Sequence, residues 1–138
     1  MKRALLAIAL LALSLSAGAV ETGTVTFSQG MGHFSQYATD TTGSVALTFT
    51  ATSRTEIDEV RLHLSAGGAA TNYTVTIDRA TTALLDVVVT TVAMSGVTDN
   101  VWKPTRPVAL MAGDKLVLAY TNGGNTTWGA EVLYFVRP

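Results

Sequence analysis

His33 and His63 are the only imidazoles in the chain, and a histidine placed beside a nucleophile or a pair of carboxylates could move protons or hold a metal. Neither has that company along the sequence. His63 lies in Glu59-Val60-Arg61-Leu62-His63-Leu64, where the alternation sends it away from any core and into solvent. His33 follows Gly30-Met31-Gly32, which is too short for a phosphate cradle and is not set between a strand and a helix. No Gly-x-Ser-x-Gly elbow exists and neither histidine has an evident orienting acid, so the parts of a serine hydrolase are missing. The chain contains no cysteine, which removes thiol nucleophiles and thiolate metal sites. Glu56, Asp58 and Glu59 cluster, and a glycosidase would hold two such carboxylates about 5 to 10 Å apart across a cleft. These three fall where a turn enters a strand and read as a solvated edge. Asp40, Asp99 and Asp114 are too dispersed for an Asp-rich calcium loop. The residues imply no cofactor and no metal, and the chain reads as non-enzymatic.

The aromatic and amide side chains are better candidates for contact than for catalysis. Trp102 sits in Asn100-Val101-Trp102-Lys103-Pro104, and Trp128 follows Asn122-Gly123-Gly124-Asn125 to open the last strand. Exposed indoles would stack on sugar rings while nearby Asn and Arg side chains took the hydroxyls; buried ones would plug the ends of a core. Gln29 to Thr42 and Ala93 to Pro107 show no steady alternation and read as long loops, where contacts are usually kept. The candidate interaction surface is therefore His33, Phe34, Tyr37, Asn100, Trp102, Arg106, Asn122, Asn125 and Trp128.

The elements that must position them follow a period of two. Val45, Leu47, Phe49 and Ala51 alternate with Ala46, Thr48 and Thr50, and Val60, Leu62 and Leu64 alternate with polar neighbours. Tyr73, Val75 and Ile77 repeat the pattern, as do Leu116, Leu118 and Tyr120. Each such segment predicts a half-buried strand. Val25 and Phe27, Leu84 to Val92, Val108 to Met111, and Val132 to Val136 add strands with less clean faces, for about eight in all. Ala66-Gly67-Gly68 and Asn122-Gly123-Gly124-Asn125 read as reversing loops with positive φ, and Ala112-Gly113-Asp114 as a tight hairpin. β-Branched residues dominate and no helical period appears beyond the N-terminus. The fold class is all-β, a two-sheet antiparallel sandwich, most simply a jelly roll; an immunoglobulin-like sandwich is the next choice.

Composition and the N-terminus set the surroundings. Met1-Lys2-Arg3, the apolar run from Ala4 to Leu15, and Ala17-Gly18-Ala19 have the layout of an export signal, or of a retained hydrophobic anchor. As a helix, Ala4 to Ala19 would span roughly 24 Å, short of the roughly 30 Å of a bilayer core, so no permanent membrane span is expected. Residues 1–19 are then a leader and 20–138 a single sandwich domain placed extracytoplasmically. Without Lys2 and Arg3, seven basic side chains face ten acidic ones, which excludes a nucleic-acid partner. Charged residues are 14% of the chain against about 25% in ordinary globular domains. So little charge suits a surface that packs against copies of itself or against other coat proteins, and it also suits a secreted glycan binder.

Several strings carry a resemblance. Ile57-Asp58-Glu59-Val60-Arg61-Leu62-His63-Leu64-Ser65, Tyr73-Thr74-Val75-Thr76-Ile77-Asp78, Met94-Ser95-Gly96-Val97-Thr98-Asp99 and Val101-Trp102-Lys103-Pro104 stand in that order. Ala112-Gly113-Asp114-Lys115-Leu116, Ala119-Tyr120-Thr121-Asn122 and Trp128-Gly129-Ala130-Glu131 continue it. Over about eighty residues the chain resembles a small β-sandwich family of phage virion structural proteins, of decoration or fibre type. The Gly-Asp turn entering an alternating strand is also similar to trimeric jelly rolls of the C1q and tumour-necrosis-factor type. What the resemblance implies is a non-catalytic module on a particle or fibre; the export signal departs from that picture, because most virion proteins assemble in the cytoplasm.

Overall fold

The computed structural model describes residues 21–26, 33–41, 43–124 and 126–137. The leader proposed for residues 1–19 lies outside them. Ten strands and one short 3-10 turn, Ala83–Leu85, account for the regular structure among the described residues. The strands are β1 (Glu21–Thr26), β2 (His33–Asp40), β3 (Val45–Thr50), β4 (Thr55–Leu64), β5 (Asn72–Asp78), β6 (Val87–Ala93), β7 (Asp99–Trp102), β8 (Val108–Leu110), β9 (Lys115–Tyr120) and β10 (Trp128–Val136). One sheet runs β1-β2-β10-β4-β7, with β8 continuing alongside β4; the other runs β3-β9-β5-β6. All strand pairs are antiparallel.

The pairing is nested. β5 pairs with β6, β4 with β7 and β8, β3 with β9, and β2 with β10, so the chain is one long antiparallel ribbon rolled over until β10 also meets β4 and β9 meets β5. That is a jelly roll, with β7 and β8 acting as one interrupted strand and β1 added at an edge. The alternating rows read from sequence face each other across the two sheets. Val60, Leu62, Leu64, Trp128, Ala130 and Val132 come from the first sheet, and Val45, Leu47, Phe49, Tyr73, Val75, Leu116 and Leu118 from the second; all are buried. Each large side chain removed from water in this way contributes about 1.5 to 3 kcal/mol. Phe49 and Phe34 flank Tyr134, with ring centroids 4.5 and 5.6 Å from it. The Tyr73 hydroxyl is buried with no hydrogen-bond partner, and that desolvation raises its pKa far above the ordinary phenol value.

Several expectations need correction. Gln29 to Thr42 contains a strand, β2, whose apolar rhythm is hidden because Ser35 is fully buried, its hydroxyl donating to Glu131. Ala93 to Pro107 contains β7, which lies against Val60 to His63. Ala112-Gly113-Asp114 is not a hairpin: β8 belongs to the first sheet and β9 to the second, so this turn carries the chain across the sandwich. Gly113 serves it with φ +91. Gly67, Gly68, Gly123 and Gly124 do not take positive φ. Gly68 is needed for space instead, because a Cβ there would sit 2.6 Å from the Met94 carbonyl oxygen and 2.8 Å from the Tyr120 hydroxyl. Glu56, Asp58 and Glu59 are not on an open edge. They belong to β4, a strand flanked by β10 on one side and by β7 and β8 on the other, where a bulge at Asp58 shifts the register with β10.

Candidate interaction site

The nine residues singled out in sequence do not form one surface. Trp128 is 1% exposed, and its indole Nε1 donates to the Gly43 carbonyl at 2.7 Å, so it plugs an end of the sandwich and offers no face for contact. Asn122 is buried as well; its Nδ2 donates to the carbonyls of Thr126 and Gly43, while its Oδ1 accepts from the Thr126 backbone N–H and hydroxyl. Together these two side chains hold the β2–β3 loop against the β9–β10 loop. Trp102 and Phe34 are half-buried, Trp102 packing on the core and Phe34 on Tyr134. His33 opens β2 opposite Phe135, and Asn125 lies outside the described residues. Of the others, Arg106 is exposed, and Tyr37 and Asn100 are half-buried.

Arg106 lines a cleft at one end of β4 with Glu56, Asp58, Lys103 and Phe135. The carboxylates in and beside it are matched by cations: Glu56 binds Arg137, and Lys103 Nζ lies 3.6 Å from Asp58 and 4.0 Å from Glu59. The Arg137 guanidinium also lies over Phe135, 5.5 Å from the ring centroid. This arrangement is an ion-pair network covering the sheet, and none of the three carboxylates stands apart as an acid or base awaiting a substrate.

Tyr37 lies at a second place, the outer face of the first sheet, whereas Asn100, in register with Leu62 and Ala130, belongs to the inward row. The register lines up two rows across four strands. One is Thr39, Gly129, His63 and Asp99; the next is Tyr37, Glu131, Arg61 and Val101. In the first row Gly129 presents no side chain, and an open hollow of about 400 Å³ results, lined by both rows and by Asn100. His63 Nδ1 meets Asp99 Oδ1 at 2.6 Å, and Thr98 donates its hydroxyl to Asp99 Oδ2 at 2.7 Å. The hydrogen bond from His63, followed by that from Thr98, holds the Asp99 carboxyl below its ordinary pKa. Arg61 spans Glu59 and Glu131, and these partners, Glu59 foremost, raise its pKa. Asn100 Oδ1 is buried with no hydrogen-bond partner. Sequence reasoning missed the acid beside His63, because the two residues are 36 apart along the chain and only the β4–β7 register joins them. The one signal for the hollow was a glycine inside an alternating strand.

A third feature was also missed. β6 ends the second sheet, and beside it stand Leu84, 93% exposed, and Leu85, Val87 and Val88, each more than half exposed. Among the described residues, no group of three His, Asp or Glu side chains is placed to hold a metal ion, and no helix is long and apolar enough to cross a membrane.

No protein-family model and no curated protein matches the chain. Among solved structures it is similar to chitosan-binding module 1 derived from a chitosanase/glucanase from Paenibacillus sp. IK-5. The two share 14% identity, over 88% of this chain and 79% of that one, with a TM-score of 0.41. The likeness is too distant to carry a functional argument.

Proposed function

We propose that this chain is a non-catalytic packing module of an extracytoplasmic or virion-surface assembly, and that it joins further copies of itself through the β6 edge. The observation that carries this reading is the state of that edge. Sheets normally guard a terminal strand with charge, proline, a bulge or extreme shortness. β6 is seven residues long, and from Val87 to Thr98 the chain has no charged residue and no proline. Of these devices it has one, a bulge at Val89 in the ladder with β5, which leaves the Thr90–Ala93 half regular. Leu84, Leu85, Val87 and Val88 widen the edge into an apolar patch of the kind that marks a contact. A second copy is the occupant that fits, because an antiparallel two-fold pairing of β6 would set no like charges opposite one another. The extracytoplasmic setting rests on the sequence of residues 1–19, and the virion setting on the resemblance of the strand and turn strings.

Analytical ultracentrifugation of the purified chain tests the assembly. A mass above the monomer is expected for the natural sequence, and the monomer for the double variant Leu84→Lys, Val88→Lys with an unchanged circular dichroism spectrum. A natural chain that sediments as a monomer at its highest soluble concentration refutes the self-association.

A further inference from the structure

Gly129 occupies a position in β10 where nothing in the fold requires glycine. Its φ is not positive. A Cβ built on it would meet only the Thr39 methyl, at 3.7 Å, an ordinary contact. The residue sits between β2 and β4 in the interior of a sheet, where glycine weakens a strand by its backbone freedom and its lack of a side chain to pack. What Gly129 does supply is room. Its neighbours in the row, Thr39 and His63, are two strand spacings apart, roughly 10 Å, with no side chain between them.

We infer that this hollow is a binding site for an uncharged sugar ring, with the ring seated over Gly129 between Thr39 and His63. The groups around it suit a molecule that has one apolar face and a rim of hydroxyls. Tyr37 lies on the diagonal from Gly129, within reach of an aromatic side chain, and Val101, 59% exposed, forms an apolar wall on the far strand. Donors and acceptors alternate around the rim, and their mutual contacts fix them in place beforehand. His63 commits Nδ1 to Asp99, which leaves Nε2 to bond elsewhere. Arg61 uses Nε on Glu59 and one Nη1 hydrogen on Glu131, so it keeps guanidinium hydrogens in reserve. The Asp99 carboxylate retains lone pairs beyond those taken by His63 and Thr98. A hydroxyl both donates and accepts, so it can use each of these groups, and hydrogen bonds to charged partners are the stronger kind. An anionic ligand would have to approach Asp99 and Glu131, with Arg61 as the one permanent cation lining the hollow and already shared between two carboxylates. This site is separate from the β6 edge, which belongs to the other sheet, and it does not depend on self-association.

Saturation-transfer NMR and calorimetry with cellohexaose, xylohexaose and mannohexaose, alongside hexaglucosamine and hexagalacturonate, test the assignment. At least one of the three neutral hexaoses is expected to bind saturably. Gly129→Val fills the hollow and should weaken that binding roughly tenfold or more, as expected for a blocked pocket, with no fall in melting temperature. Tyr37→Ala should weaken it as well. The inference is overturned if no neutral hexaose binds, if only the charged oligomers bind, or if binding survives both substitutions unchanged.

Discussion

Asp114 offers the sharpest test of how this sandwich is held closed. The residue is 3% exposed and lies in the turn that crosses from β8 to β9. It accepts three hydrogen bonds: from the Met111 backbone N–H at 2.9 Å, from the Ala80 backbone N–H at 3.0 Å, and from Arg79 Nη1 at 2.6 Å. Asp114→Ala would strand two amide donors and leave a partly buried guanidinium with only the Ala109 carbonyl. A fully buried orphaned donor costs about 1 to 3 kcal/mol, and these bonds are partly buried, so a loss of about 2 to 4 kcal/mol is expected. That is a large share of the 5 to 15 kcal/mol typical of a domain. For a domain of this size it corresponds to a fall of roughly 7 to 16 °C in melting temperature. Urea and thermal unfolding followed by circular dichroism would measure it.

The effect should also depend on pH with a definite sign. Burial opposes ionisation of Asp114, but the hydrogen bonds from Met111, Ala80 and Arg79 outweigh it and hold the folded-state pKa below 3.8. A depressed carboxyl pKa stabilises the fold above the unfolded value, and that contribution disappears as pH falls through the folded one. The gap between the natural chain and Asp114→Ala should therefore be full near neutrality and narrow below about pH 4. A loss under about 1 kcal/mol at neutral pH would refute the reasoning, because it would place Asp114 among ordinary surface residues.

Two further substitutions probe the ends of the core. Trp128→Ala should cost about 3 to 5 kcal/mol in urea unfolding, while Trp128→Phe, which loses chiefly the indole bond to Gly43, should cost nearer 1 kcal/mol. Gly68→Ala should destabilise by about 1 to 3 kcal/mol, since its Cβ would press on the Met94 carbonyl, the Tyr120 hydroxyl and Leu64; a melting temperature equal to the natural chain's would show that the loop yields without cost.

The strands most legible in the sequence are those with one face in the core and the other in water. β3 alternates buried and exposed along its whole length, and β5 and β9 keep nearly the same rhythm. In β4 the alternation is legible only from Val60 onward, because the bulge at Asp58 puts two polar residues in succession and breaks the period over its first half. β2 escaped because its inward positions include Gln36 and Ala38, and its outward Ser35 is buried beneath a bond to Glu131. β7 escaped because it is four residues long and begins with Asp99 and Asn100. The contact residues were harder still. Trp128 and Asn122 have the composition of a binding loop, yet hydrogen bonds to Gly43 and Thr126 turn them inward, and those partners are distant in sequence or local only once the loop has formed. The hollow at Gly129 is a property of three strands in register, so no single segment announces it.

The place of β10 has a consequence for the order in which this molecule can be built. β2 and β4 do not pair with each other; Trp128 to Val136 lies between them, and the halves of the first sheet are stitched only through it. A chain emerging from the ribosome thus carries β1 through β9 for some time with unsatisfied edges at the middle of that sheet. Premature closure is denied to it, and it stays threadable until the final strand arrives. Truncation before Trp128 should consequently split the sheet down its centre, where trimming β1 would merely fray a border.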